Sequence, residues 1–304
     1  MRLLLLGLVS LSACDGLTWG PHGDPVSESG LLMSRSSAYA QLDSAAMSDD
    51  GQVFFAVMAG TTWCSFQAEN AYMDLDTTAD TEIAVQDIYA DVPLVVTRDG
   101  LAYIDSNGTT SDYWTVASVE AARFRSDAAG AVALTSDGRL NWFDGVTTTD
   151  RDRVGNCTAL AFDRAGDVAW LACPSGLVRA TPGEATVVAA GAVELVAWSD
   201  AAALAATVST DRESVAGVDT KGGTLWTFTS AARVLDVAPI AGRPFFAVLT
   251  AATDDAAAEL LLLSADTGAV VDRIASEGTG IHAAHDAARL VVLGGYVTQV
   301  YDVE

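Results

Sequence analysis

His282 and His285 stand in the run His-Ala-Ala-His, and paired imidazoles are a frequent start for a transition-metal site. The run reads as a β-strand, however, where side chains three residues apart point to opposite faces. The pair alone is therefore not expected to share an ion, and no metal ligand is assigned. Asp74, Asp76 and Asp80, in Met-Asp-Leu-Asp-Thr-Thr-Ala-Asp, offer the oxygen ligands that calcium takes. Their spacing lacks the glycine and terminal glutamate of an EF-hand loop, so no cofactor is expected. Serine is plentiful, but there is no Gly-x-Ser-x-Gly elbow and no phosphate-cradling glycine loop. With three histidines in all, one of them His22 near the N-terminus, little is available to activate a nucleophile. No catalytic residue is assigned, and the chain is not expected to be an enzyme.

Cysteine offers a second chemistry. Cys157 to Phe162 reads as one strand and Val168 to Cys173 as its antiparallel partner, turning through Asp163 to Asp167 with Gly166 at positive φ. This register sets Cys157 opposite Cys173, where Cα atoms about 4.5 to 5.5 Å apart suit a disulfide. Two buried thiols are the alternative, since a slip of one residue would send the sulfurs to opposite faces. One face of the hairpin would carry Ala159, Ala161, Ala169 and Leu171, the other Leu160, Phe162, Val168 and Trp170. Both are apolar, so the hairpin is expected to be covered on both sides. Cys64, in Thr-Thr-Trp-Cys-Ser-Phe-Gln, is expected to be a small buried hydrophobe.

The elements that would position these residues are short. From about residue 30 the chain consists of brief apolar runs divided by turn signals, without a stretch of helical period. Turns like the one from Asp163 to Gly166 recur at Ser48 to Gly51, Asp127 to Gly130, Asp200 to Ala203 and Asp286 to Arg289. Their spacing is about 40 residues or close to twice that, and a second series at Asp99-Gly100, Asp137-Gly138 and Ser175-Gly176 keeps the same step. Counted this way, the chain is all-β and forms seven four-stranded antiparallel units, at about 37–80, 81–117, 118–151, 152–191, 192–231, 232–278 and 279–304. The last unit lacks a strand, which Gly30 to Ser37 could supply. The expected architecture is a seven-bladed β-propeller over residues 30–304, with its ring closed by an N-terminal strand.

Composition narrows the partners. The 304 residues are 50% hydrophobic, enough for a large core, and 16 basic residues against 40 acidic ones give a formal charge of −24. Such a balance argues against nucleic acid, whose phosphates need cations to replace their counterions, and against anionic lipid bound by charge alone.

Residues 1–13 join one positive charge, an apolar run and small residues, which is the pattern of a secretory signal and too short to span a bilayer. Leu11-Ser12-Ala13-Cys14 resembles the bacterial lipobox. That resemblance implies lipidation of Cys14, a tether over residues 14–29, a membrane partner through the lipid, and a place in the bacterial cell envelope facing the periplasm or the cell surface. Asn107-Gly108-Thr109 matches a glycosylation sequon, which such a signal makes uninformative.

The blades themselves resemble bacterial β-propellers of two kinds. Ser48-Asp49-Asp50-Gly51 and Ser136-Asp137-Gly138 are similar to WD-repeat-like blades, although the histidine-aspartate network of true WD repeats is absent. Ala216 to Trp226 is similar to quinoprotein-like blades, in which a tryptophan docks between neighbours, and Ala265 to Val271 is a weaker copy with valine in its place. The resemblance implies a protein-binding or scaffolding module working through its loop faces, with a protein partner of unknown identity. Two alternatives stand beside it: a propeller hydrolase or lyase with carboxylates meeting in the channel, and a quinoprotein-like outer-membrane assembly factor.

Overall fold

The computed structural model describes residues 19–20, 31–38 and 43–303, apart from short stretches at 59–61, 68–72, 79–82, 90–91, 105–109, 126–128, 253–257, 277 and 295–297. The described strands fall into seven separate antiparallel sheets. Sheets one to six are four-stranded meanders of consecutive strands, spanning 44–78, 83–115, 119–153, 159–190, 193–229 and 234–275. Sheet seven combines Gly278–Ala283, Arg289–Gly294 and Thr298–Val303 with Leu31–Ala38 and the two-residue strand Trp19–Gly20. Leu31 pairs with Val303 and Ala38 with Thr298, so the two ends of the chain meet in one sheet. The first strand of each sheet lies beside the first strand of the next, and that of sheet seven lies beside that of sheet one. The sheets therefore stand around an axis, with these first strands innermost.

The expectation of identical four-stranded blades closed by one N-terminal strand is corrected on two points. The sheet holding the chain ends has five strands, because Trp19–Gly20, inside the stretch expected to be a tether, pairs with Ser37 and Ala38. Among the described residues no hydrogen-bonded ladder runs from one sheet to the next, and side chains pack between the sheets of the ring. Leu160, Ala169, Leu171 and Cys173 of sheet four pack with Val132, Leu134 and Trp142 of sheet three. On its other face Ala161, Val168, Trp170 and Ala172 pack with Val196, Trp198 and Ala205 of sheet five. Both faces are thus dry, which explains why the sequence shows no polar alternation there.

The central hairpin differs from its expected register by one residue. Ala159 pairs with Ala172 and Asp163 with Val168, so the turn has four residues and Trp170 shares a face with Ala161. Asp167 holds the positive φ, at 50°, while the Gly166 N–H donates to Asp163 Oδ1 at 2.8 Å. The slip does not part the sulfurs, because Cys157 lies ahead of the strand. There Gly155, at φ 105°, turns the chain, and the Cys157 N–H donates to its carbonyl at 2.9 Å. Cys157 and Cys173 form a disulfide with Cα atoms 4.0 Å apart. Mass spectrometry of unreduced peptides is expected to recover residues 157 and 173 linked. Reduction is expected to lower stability by about 3 kcal/mol for a loop of this length. Full alkylation of both thiols without reductant would contradict the bridge.

Trp226 shows how neighbouring sheets dock. Its ring stands so close to Gly217 of its own sheet and to Gly268 of sheet six that a Cβ at either would come within 2.2 and 2.5 Å of it. Its Nε1–H donates to the Ala265 carbonyl at 2.5 Å. The Ala265 to Gly268 turn is thus the seat for the tryptophan of the preceding sheet.

Candidate functional site: the central channel

Five of the seven inner strands carry a register shift against their neighbour, as between Val85 and Asp87 in sheet two and between Val234 and Asp236 in sheet six. An extra residue at such a bulge bends and twists the strand, and here it brings Asp87 and Asp236 into the channel wall. The channel encloses a cavity of about 350 Å³, whose lining includes Asp87, Arg123, Arg164, Asp200, Asp236 and His282.

One side chain crosses this space. Arg164, at the start of the sheet-four turn and only 9% exposed, reaches Asp49 of sheet one at 2.6 Å and Asp87 of sheet two at 3.0 Å. Its Nη2 also donates to the Ile88 carbonyl at 2.9 Å, and its guanidinium lies 5.3 Å from the centre of the Tyr89 ring. Burial works against its charge, but Asp87 and Asp49 outweigh burial and hold the proton more firmly than in water. Asp87 is saturated in turn: it accepts from the N–H of Ile88 at 3.0 Å and of Phe124 in sheet three at 2.8 Å. Three sheets are tied to one carboxylate, and a fourth is added through Arg164 to Asp49.

Asp236 is bonded in a similar way and lacks the cation. Its Oδ1 accepts from the Val237 N–H at 2.8 Å and its Oδ2 from the Ile281 N–H of sheet seven at 2.8 Å. Burial raises its pKa, opposed by these two N–H groups and, more weakly, by Arg123 and Arg212. His282 lies on the next inner strand, and burial, then Arg123, push its pKa down to about 4. The imidazole is therefore neutral at pH 7. Because the folded pKa lies below the ordinary 6.5, protonation favours the unfolded chain. Stability from this group is complete above about pH 6.5 and is lost as pH falls towards about 4, by roughly 3 kcal/mol in all. His282→Gln is expected to flatten that part of the stability-against-pH curve in urea titrations.

His285 lies beyond the strand, in the turn, and not on the strand's opposite face as expected. Its Nδ1 is 2.9 Å from Asp286 Oδ1 and its Nε2 is 3.6 Å from Asp200 Oδ2. Asp200 accepts from Trp198 Nε1–H at 2.7 Å, and burial, aided by Asp200, raises the pKa of neighbouring Asp163. Both histidines line the cavity, His282 from the inner strand and the more exposed His285 from the turn that follows it. Among the described residues no group of three or more His, Cys, Asp or Glu is placed to hold a metal. Nor do the hydrogen bonds among these described residues join a nucleophile to a base.

Asp74, Asp76 and Cys64 stand on strands of sheet one, Met73–Thr78 and Thr62–Gln67. Cys14, His22 and Asp80 lie outside the described residues. Sequence reasoning passed over Arg164, Asp87 and Asp236. A signal was present: Ile-Ala-Val-Gln-Asp-Ile-Tyr and Val-Leu-Asp-Val-Ala-Pro each place one acid inside an apolar strand, and Arg164 puts a cation in a turn series otherwise acidic or small.

Radial sheets around an axial channel define a β-propeller. No family model matches the chain, and no curated protein does. Among solved structures, the β-propeller domain of Cps50 (Swd1) from Myceliophteria thermophila superposes with a TM-score of 0.71 at 12% identity, over 94% of this chain and 100% of that one. At that identity the likeness is one of fold. It corrects the bacterial-lipoprotein resemblance: the matched structure is a fungal propeller domain. The membrane partner and the cell-envelope localisation depended on that reading and fall with it; Cys14 and the signal at residues 1–13 lie outside the described residues. No described helix is long and apolar enough to cross a membrane.

Proposed function

We propose that this propeller is a non-catalytic protein-binding module whose partner docks on the channel mouth formed by the turns at 48–51, 164–167, 200–203 and 284–289. The observation that carries this reading is the state of the channel. Its carboxylates Asp87, Asp200 and Asp236 and its arginines Arg123 and Arg164 are hydrogen-bonded to backbone or to other side chains, which suits a rigid platform. Backbone bonds fix the turns to one another: the Asp286 N–H of sheet seven donates to the Asp49 carbonyl of sheet one at 2.7 Å. Rigid turns lower the ordering entropy that a docking partner would otherwise meet.

Capture from the native cell with Ala165→Arg is the test. Ala165 is exposed at the tip of the sheet-four turn, whereas Val187 is exposed on the outermost strand of sheet four. Recovered partner is expected to fall at least about tenfold for Ala165→Arg, as for a charge forced into an interface core, and to hold for Val187→Arg. The reverse pattern would place docking on the outer rim.

A further inference from the structure

Asp87 and Asp236 are each held by two backbone N–H groups, one from the following residue and one from the inner strand of the next sheet. Asp87 also receives a guanidinium, from a turn two sheets further round the ring. Two sheets on from Asp236 is sheet one. There the strands pair Met47 with Phe54, and the Ser48 N–H donates to the Val53 carbonyl, so the first turn residue is Asp49. Asp49 thus stands where sheet four has Arg164, and this chain has no cation to send to Asp236 from that place. Ala238 follows Asp236 at the same interval as Tyr89 follows Asp87, so no aromatic ring stands at the second carboxylate as one does at the first. Both Asp236 and Ala238 line the cavity.

Nearby arginines do not serve. Arg123 Nη1 donates to the carbonyls of Gln86 and Ala122, at 2.9 and 2.7 Å. Arg212 donates to the Leu235 carbonyl and to Glu194, at 3.2 and 3.1 Å. Among the described residues no guanidinium or ammonium lies within ion-pair distance of Asp236.

We infer that the channel is a binding site for an alkylguanidinium group, held by the Asp236 carboxylate with the Val237 carbonyl as second acceptor, as Asp87 and the Ile88 carbonyl hold Arg164. The planar fork of a guanidinium matches a carboxylate, and hydrogen bonds between the two charged groups are stronger than neutral ones. The group could arrive free or as an arginine side chain of a partner. The site does not depend on where a larger partner docks.

Methylguanidinium and a blocked Gly-Arg-Gly peptide are the probes, followed by NMR of the His282 imidazole, one of only three in the chain. At least one probe is expected to shift the His282 resonance saturably. Asp236→Asn, with folding checked by its melting curve, is expected to weaken that response roughly tenfold or more. Methylurea, neutral and of similar shape, serves where the variant fails to fold and is expected to leave wild-type His282 unmoved. A response to the peptide alone assigns the group to a protein partner, and a response to methylguanidinium alone to a small molecule. No shift with either probe, an undiminished shift in Asp236→Asn, or an equal shift with methylurea would overturn the site.

Discussion

Arg164→Met is expected to destabilise the protein by about 3 to 5 kcal/mol in urea denaturation, among the largest effects of any single substitution here. The loss does not measure the worth of the ion pairs themselves. It arises because Asp49 and Asp87 keep their place in the channel and lose the charge that balanced them. Methionine keeps an aliphatic stem of similar length but loses the guanidinium that lies over Tyr89, so the cation–π contact goes with the ion pairs. A triple variant that also carries Asp49→Asn and Asp87→Asn is therefore expected to recover much of the loss. If the triple variant is as unstable as the sum of its parts, the three charges do not act as one unit.

Trp170→Ala is expected to cost about 3 to 5 kcal/mol, as for a large aromatic side chain removed from a core that cannot collapse. Trp170 is 1% exposed on the second strand of sheet four, and its ring stacks on Trp198 of sheet five with centroids 4.7 Å apart and planes at 11°. That contact is part of the packing that holds two sheets without a shared ladder. Among the described residues its Nε1–H finds no hydrogen-bond partner, so Trp170→Phe removes that donor along with some apolar area and is expected to cost much less than alanine. Equal losses for the two variants in urea denaturation would mean that ring contact contributes nothing at this interface.

Much of the fold could be read from the sequence because turn chemistry is local. The Ser48 to Gly51 and Asp163 to Gly166 signals fall on real turns, and the apolar runs between turns are strands. Register was harder, since Leu160 and Phe162 are apolar like Ala159 and Ala161, and a strand buried on both faces has no polar residue to mark its phase. The slip at Ala159–Ala172 follows from that. The channel was less legible still. Asp87, Arg164 and Asp49 are 38 to 115 positions apart in pairs, and only the closing of the ring brings them together. Lone acids inside apolar strands were the available clue, and each could equally have been a solvated edge residue. The N-terminal reading shows the opposite failing: four matching residues carried a membrane partner and a compartment, which the fungal propeller match does not support.

Hydrogen–deuterium exchange of the full chain with and without its captured partner tests the docking proposal most directly. Added protection is expected to concentrate in the turns at 48–51, 164–167, 200–203 and 284–289 around the channel mouth. Protection confined to the outermost strands, such as Ala185–Ala190 and Thr224–Thr229, would contradict it.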